Sequence, residues 1–240
     1  MLFDLKRYAC NFFFPAGIGI AVLFFIAGYG FRSSASSGNV ELLPWLLDAY
    51  TCYTQFGPLV ISAFVIAAIA SDFSEKNCLF YNELGLTSGK YFLSKLLALA
   101  APLTLGTAVC LFAVCLLYGD FASYVPMLLH FICVVVSYLS FAGLLEIILG
   151  SFIAAFFSNV AIWITTTFFV SHYEALWFVA PFDQNSQFFL RLMENMVNSA
   201  AFASLELTNV MSSCSFALAI VVVSFVCCVF LEGRWMRNGI

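Results

Sequence analysis

The stretch SDFSEKNCLFYNELGLTSGKYFLSK, residues 71–95, is the longest polar interruption that is flanked by two good membrane spans. It holds three of the nine basic residues of the chain, at Lys76, Lys90 and Lys95. Long apolar runs lie on both sides of it. We therefore interpret the rest of the chain as holding residues 71–95 against something in the cytoplasm.

The composition is that of a membrane protein. Of the 240 residues, 63% are hydrophobic and only 9% are charged, and the mean hydropathy is +1.02. Such a chain cannot cover a soluble core with a polar surface. We predict an all-α membrane protein with a single transmembrane domain over residues 1–240. The net charge of -4, with no sizeable basic patch, argues against a nucleic-acid partner.

Six segments are long enough to cross the hydrocarbon core as helices. They lie at about residues 12–31, 50–70, 96–118, 127–149, 152–170 and 211–231. The second has a short apolar part, which the aromatic-rich residues 41–56 extend from the membrane interface. Little more than Gly150 and Ser151 separates the fourth span from the fifth. This junction favours an antiparallel hairpin, although Gly150 could instead break one long helix within the membrane.

The basic residues predict the orientation, because cytoplasmic loops carry an excess of Lys and Arg. With the N-terminus inside, two basic residues are external, Arg32 and Arg191. Seven are then cytoplasmic: Lys6, Arg7, Lys76, Lys90, Lys95, Arg234 and Arg237. We therefore expect both termini and residues 71–95 in the cytoplasm.

Within residues 71–95 the pattern predicts a short helix. At its start, Ser71 or Ser74 can cap a helix, and Asp72 and Glu75 fall in the first turn, where acids are favoured. Apolar residues at helical spacing follow, and Gly85 can end the helix: Phe73, Phe80 and Leu84. Thr87 or Ser88 then caps the third span. The helix over 72–84 is either a stiff docking element or an ordinary connector on the membrane surface.

The chain resembles the permease subunits of ABC-2 type exporters. The resemblance lies in the segment that follows the second of six spans. This segment has an acid, a Lys, an aromatic residue and Leu, then a turn of small residues and then Tyr-Phe-x-x-Lys. The matching residues are Asp72, Glu75, Lys76, Leu84, Ser88, Lys90, Tyr91, Phe92 and Lys95. The chain departs from the usual pattern at residues 85–87, where a Leu-Pro pair is common. The resemblance implies a cytoplasmic coupling helix that docks on a separate ATPase subunit through Asp72, Phe73, Glu75, Lys76, Phe80, Glu83 and Leu84.

The same resemblance implies the assembly and its location. Two permease halves, identical or paralogous, would work with two ATPase copies in a bacterial plasma membrane, within membrane lipid. ATP and Mg²⁺ would be bound by the partner, with no cofactor in this chain. The apolar, aromatic-rich interior suits an amphipathic or hydrophobic cargo, such as a membrane-active peptide, a lipid or a drug, and peptide export is the leading expectation.

Motifs for chemistry are missing from the sequence. Gly85, Gly89 and Lys90 do not form a phosphate loop, since only three residues separate the glycines and Tyr91 follows the Lys. The two histidines have no metal-ligand spacing. Glu146 lies sixteen residues from His130, about 24 Å along a helix, too far to cooperate. We predict that the chain is not an enzyme.

Two further segments have alternative interpretations. Glu146 either lines the translocation path or a subunit interface, or reaches the headgroups from the end of its span. Residues 173–180 and 187–197 are amphipathic and form either external gate helices, as the resemblance implies, or a cap on the membrane. The gate-helix residues are Trp177, Phe178, Phe188, Arg191 and Glu194. Of the nine cysteines, Cys52 and Cys214 are the two that we consider for a pair.

A secondary transporter or channel, or a membrane scaffold, is the alternative to an ATP-driven exporter. A secondary transporter would have charged or discontinuous spans near the midplane. The spans predicted here are nearly free of charge.

Overall fold

The computed structural model describes residues 12–35, 40–172 and 202–238. These residues form helices without a strand: α1 Phe13–Ala35, α2 Leu42–Ser74, α3 Asn77–Glu83, α4 Ser88–Tyr118, α5 Tyr124–Leu149, α6 Phe152–His172, α7 Phe202–Phe230 and α8 Glu232–Asn238. Six of these helices are long and apolar enough to cross a membrane, namely α1, α2, α4, α5, α6 and α7. The predicted all-α fold with six spans is confirmed.

Helices α2 and α5 form the centre of the bundle. Helix α2 packs against α1, α5 and α6, and α5 packs against α2, α4, α6 and α7. Helix α6 is the least buried of the six long helices. The short helices α3 and α8 contact one another, and both follow spans that run towards the same end of the bundle. We call it the α3 end.

The first two spans approach closely because Gly28 has no side chain. A Cβ atom at Gly28 would lie 2.6 Å from the backbone nitrogen of Ala49, on α2. Small residues at helix contacts allow this approach of two backbones in membrane proteins. Gly30, two residues further along α1, has no atom within 4 Å of the same position. The glycine at 28 is therefore required by packing, whereas the one at 30 is not.

Proline in the middle of α2 is accommodated by a hydroxyl from α5. Pro58 has no N–H, so the carbonyl of Thr54 loses its partner within the helix. The hydroxyl of Tyr138 donates to this carbonyl at 3.0 Å. The ring of Tyr138 fits against Gly57, where a Cβ atom would lie 2.5 Å from the ring. The carbonyl of Thr54 on α2 therefore receives its hydrogen bond from α5.

Helices α5 and α6 form the antiparallel hairpin, as one of the two sequence interpretations expected. The amide of Asn159, on α6, donates to the carbonyl of Pro58 at 2.7 Å. Tyr138, on α5, contacts α2 within one turn of the same place. One continuous helix would separate residues 138 and 159 by about 30 Å. Gly150, with φ of 63°, ends α5 and reverses the chain.

The boundary between α2 and α3 differs from the prediction. We expected a new helix from Asp72, capped by Ser71 or Ser74, but α2 continues through Ser74 and α3 begins at Asn77. The reason is that the hydroxyl of Ser74 donates to the carbonyl of Ser71 at 2.9 Å and so does not cap a new helix. Lys76, with φ of 57°, makes the break.

The predicted ends on the far side of α3 are confirmed. Gly85 has φ of 75°, and the N–H of Leu86 reaches the carbonyl of Tyr81 at 3.0 Å, which closes the end of α3. Thr87 is the N-cap of α4, where its hydroxyl accepts from the N–H of Lys90 at 3.5 Å. Only four residues, 84–87, therefore join α3 to α4, which keeps the two helices close together.

Candidate functional site at the α3 end

A buried ion pair joins α2 to α4 at the α3 end. The Nζ atom of Lys95 lies 2.6 Å from Oδ2 of Asp72, and the two side chains are 1% and 2% exposed. Taking two charges out of water is unfavourable unless they are paired and hydrogen-bonded. The position of Asp72 in the last turns of α2 is therefore tied to Lys95, in the second turn of α4.

Three more polar side chains complete this site, which we call the Asp72 cluster. The hydroxyl of Tyr91 donates to Oδ2 of Asp72 at 2.9 Å, and the amide of Asn77 donates to Oδ1 at 3.3 Å. Lys95 also donates to the hydroxyl of Tyr81, at 3.4 Å. Asn77 and Tyr81 belong to α3, so α3 is bonded to both spans that flank it.

Aromatic rings surround the ammonium of Lys95. Its Nζ atom lies 5.1 Å from the ring centroid of Tyr81 and 5.3 Å from that of Tyr91, within the range of cation–π attraction. The ring of Tyr91 in turn lies 5.3 Å from Trp235, which is fully buried on α8. Helix α8 therefore packs on the ring of Tyr91 and also contacts α3.

Cys78 shares this enclosed environment. The thiol is buried, and burial first, with the nearby carboxylate of Asp72 second, raises the pKa of Cys78 to about 12. A thiol that stays protonated is a poor nucleophile. Cys78 therefore packs within the α3 end as a neutral side chain.

The outer side of α3 presents two apolar residues. Phe80 is 54% exposed and Leu84 is 62% exposed, and their spacing of four places both on one side of the helix. We call this surface the Phe80/Leu84 face. Exposed charged residues lie around it: Glu75, Lys76 and Glu83. An apolar patch with a charged rim is typical of protein interaction surfaces.

The structure divides the predicted docking residues into two groups. Glu75, Lys76, Phe80, Glu83 and Leu84 are exposed. Asp72 and Phe73 are buried, and Asp72 acts inside the protein as the acceptor of the cluster. The surface that is open to a partner therefore consists of the five exposed residues.

The sequence did not reveal the ion pair or the role of Trp235. Tyr91 and Lys95 were singled out as part of the motif, and their spacing of four is the one signal that could have placed both on the same side of α4. Nothing local in the sequence indicates that this side meets Asp72 and Trp235.

Glu146 is buried near the end of α5. Its side chain is fully inaccessible, and neither carboxyl oxygen has a hydrogen-bond partner among the described residues. The carboxyl is therefore enclosed by protein in the part of the chain that the structure describes. A role in a translocation path stays a prediction.

The remaining predicted features lie elsewhere. The gate-helix residues Trp177, Phe178, Phe188, Arg191 and Glu194 are outside the described residues. Cys52 is buried in α2, and the sulfur of Cys214 lies 3.6 Å from that of Cys133. Cys214 therefore faces a different cysteine from the one considered in the sequence.

Six apolar spans around a central α2–α5 pair, with a polar cluster and an exposed short helix at one end, define a multi-pass helical membrane protein. Comparison with protein families identifies the class of membrane protein. The chain belongs to the peptide export permease protein YydJ family, which matches residues 1–240. The predicted exporter permease is confirmed at this level.

A curated relative agrees with the family. The chain is 24% identical over 225 residues to the probable peptide export permease protein YydJ of Bacillus subtilis (strain 168), and the match covers 91% of each protein. No solved structure matches the chain.

Proposed function

We propose that this chain is the transmembrane permease subunit of an ATP-driven exporter of amphipathic, membrane-active peptides. Family membership supports a permease, and the names of the family and of the relative both refer to peptide export. The interior is apolar and rich in aromatic residues, which suits such a cargo. ATP and Mg²⁺ would be bound by a separate ATPase subunit.

The Phe80/Leu84 face is the observation that carries this proposal. An ATPase subunit docks on it, with Glu75, Lys76 and Glu83 as the polar rim. Because the Asp72 cluster bonds α3 to both α2 and α4, a push on α3 displaces the two spans together. ATP-driven movement of the ATPase then alters the packing of the spans and opens the far side of the bundle.

The charges support a cytoplasmic position for the α3 end. Exposed basic residues at this end are Lys76, Lys90, Arg234 and Arg237, whereas Arg32 lies at the opposite end among the described residues. This distribution is the one that the positive-inside rule expects of a bacterial plasma membrane protein.

A second permease subunit, identical or paralogous, completes the conduit. Helix α6 is the least buried long helix, and much of its exposed surface is apolar: Phe152, Ile153, Phe157, Ile164 and Phe168. Lipid or a second subunit can cover such a surface. The translocation path lies between the two halves.

A pull-down tests the docking surface. The chain is purified through a tag from cells that carry its own gene neighbourhood, and the co-purifying chains are searched for one with a P-loop. Phe80→Asp with Leu84→Asp removes the apolar face and abolishes co-purification. Phe121→Asp with Val125→Asp is the matched control, because these exposed residues have the same spacing at the opposite end. Co-purification that survives the first pair of changes would refute the docking surface.

A proton-driven carrier is the second candidate, and Glu146 is the observation that favours it. A buried carboxyl without a hydrogen-bond partner in a span is common in proton pathways. Peptide transport in sealed vesicles separates the two functions. An exporter requires hydrolysable ATP and the ATPase subunit, whereas a carrier works with a proton gradient alone and fails in Glu146→Gln.

A further inference from the structure

Two cysteines on different spans face each other between α5 and α7. The sulfur atoms of Cys133 and Cys214 are 3.6 Å apart. They must approach by about 1.5 Å to reach the disulfide bond length of about 2.05 Å.

A neighbouring hydrogen bond holds the two helices in this register. Nδ1 of His130 lies 3.0 Å from the hydroxyl of Ser213, and both groups are buried. His130 precedes Cys133 by one helical turn, and Ser213 precedes Cys214 directly. Helices α5 and α7 also pack closely along their length. The two sulfur atoms are therefore kept together by the fold and do not meet by chance collision.

The surroundings of the pair select the kind of reagent that reaches it. Cys133 is buried, whereas Cys214 is exposed on the side of the bundle. Cys133 lies six residues inside the fourth predicted span, about 9 Å from its edge, and Cys214 lies three residues inside the sixth, about 5 Å from its edge. A water-soluble oxidant does not enter the hydrocarbon at that depth, but a lipid-soluble one meets Cys214 laterally.

We propose that Cys133 and Cys214 form a reversible dithiol–disulfide site whose oxidant is a membrane quinone. The two S–H bonds break and one S–S bond forms. The two electrons and two protons released reduce the quinone to the quinol. A dithiol reductant returns two electrons and two protons and restores both thiols. The oxidised form links α5 covalently to α7, and this inference does not depend on the proposed function.

The test uses the full-length chain in membrane vesicles. Duroquinone is the probe, because its ring is fully substituted and leaves no open position for addition of a thiol. After oxidation the protein is denatured, free thiols are alkylated, disulfides are reduced and the new thiols are labelled with a second alkylating reagent. Peptide mass spectrometry then reports which cysteines were oxidised, and an unreduced sample shows the linked peptides.

The expected result is second-reagent label on Cys133 and Cys214 in equal amounts, with a linked peptide that contains both. Cys133→Ser abolishes the label on Cys214, and Cys214→Ser abolishes the label on Cys133. Cys52→Ser is the matched control and leaves both labels unchanged. Ferricyanide, which stays in water, produces no label.

Three results would overturn the proposal. Linkage of Cys214 to Cys52 or to another cysteine contradicts the geometry. Failure of every oxidant, including the lipid-soluble copper–phenanthroline complex, means that the two sulfur atoms do not meet in the membrane. Oxidation by copper–phenanthroline without any by duroquinone rules out a quinone as the oxidant.

Discussion

The ammonium of Lys95 donates to the carboxylate of Asp72 at 2.6 Å inside the protein, although the two residues flank a partly exposed helix. The ion pair holds the two ends of residues 73–94 together. The α3 end therefore has a polar interior and an apolar outer face.

Removing one partner of this ion pair leaves a buried charge alone. We expect Lys95→Met to lower the free energy of unfolding by about 3–5 kcal/mol. The double variant Asp72→Asn with Lys95→Met should lose less than the sum of the two single changes. Unfolding in mixed detergent measures both. Lys90→Met is the control, since Lys90 is exposed on the same helix, and an equal loss there would contradict the role of the pair.

The hydroxyl of Tyr138 replaces the hydrogen bond that Pro58 removes. Tyr138→Phe should lower the free energy of unfolding by about 0.5–1.5 kcal/mol. In a Pro58→Ala background the same change should cost less, because the substituted alanine supplies an N–H to the carbonyl of Thr54. A double-mutant cycle measures the difference. Equal losses in the two backgrounds would show that the hydroxyl does not compensate for the proline.

Two glycines on α1 should respond in opposite directions. Gly28→Ala places a methyl group against the backbone of Ala49, and we expect a loss of about 1–3 kcal/mol from overpacking. Gly30→Ala meets nothing, and we expect a gain of up to about 1 kcal/mol from helix propensity. Thermal unfolding in detergent compares the two variants. Similar effects at both positions would mean that α1 and α2 are not in close contact at Gly28.

Trp235 should shield Cys78 from water. In the native chain a water-soluble maleimide should leave Cys78 unmodified near neutral pH, because burial raises the thiol pKa to about 12. Trp235→Ala should make Cys78 reactive, and mass spectrometry of the alkylated peptide measures the change. Leu84→Ala removes an exposed side chain and is the control. A reactive Cys78 in the native chain would show that α8 does not cover it.

The pKa of Cys78 also predicts a pH dependence of stability. The folded state holds the thiol proton up to about pH 12, whereas the ordinary thiol value is 9.0. The unfolded chain therefore releases this proton first, and stability falls as pH rises between these values. Cys78→Ala should lack that part of the fall in unfolding measurements from pH 8 to 11. If the free energy of unfolding of the variant fell with pH as steeply as that of the native chain, the raised pKa of Cys78 would be contradicted.

Local features were predicted well and long-range ones were not. The stop at Gly85, the cap at Thr87 and the hairpin at Gly150 depend on a few adjacent residues, and each was found. The helix predicted from Asp72 was wrong in its start, because α2 continues through Ser74. The buried partner of Asp72, which was not predicted, is 23 residues away on another helix. The contact of Cys133 with Cys214 likewise joins residues that are 81 positions apart.

The sequence by itself determined an all-α protein with six spans, because apolar segments of about twenty residues can satisfy their backbone in lipid only as helices. Only the tertiary structure decided which side of each helix faces protein. In a bilayer the buried and the lipid-exposed sides are both apolar, so the spans carry little of the periodicity that marks the inward side of a soluble helix. Asp72 is therefore placed inside the protein by its partners on other helices, which no local pattern in residues 71–95 encodes.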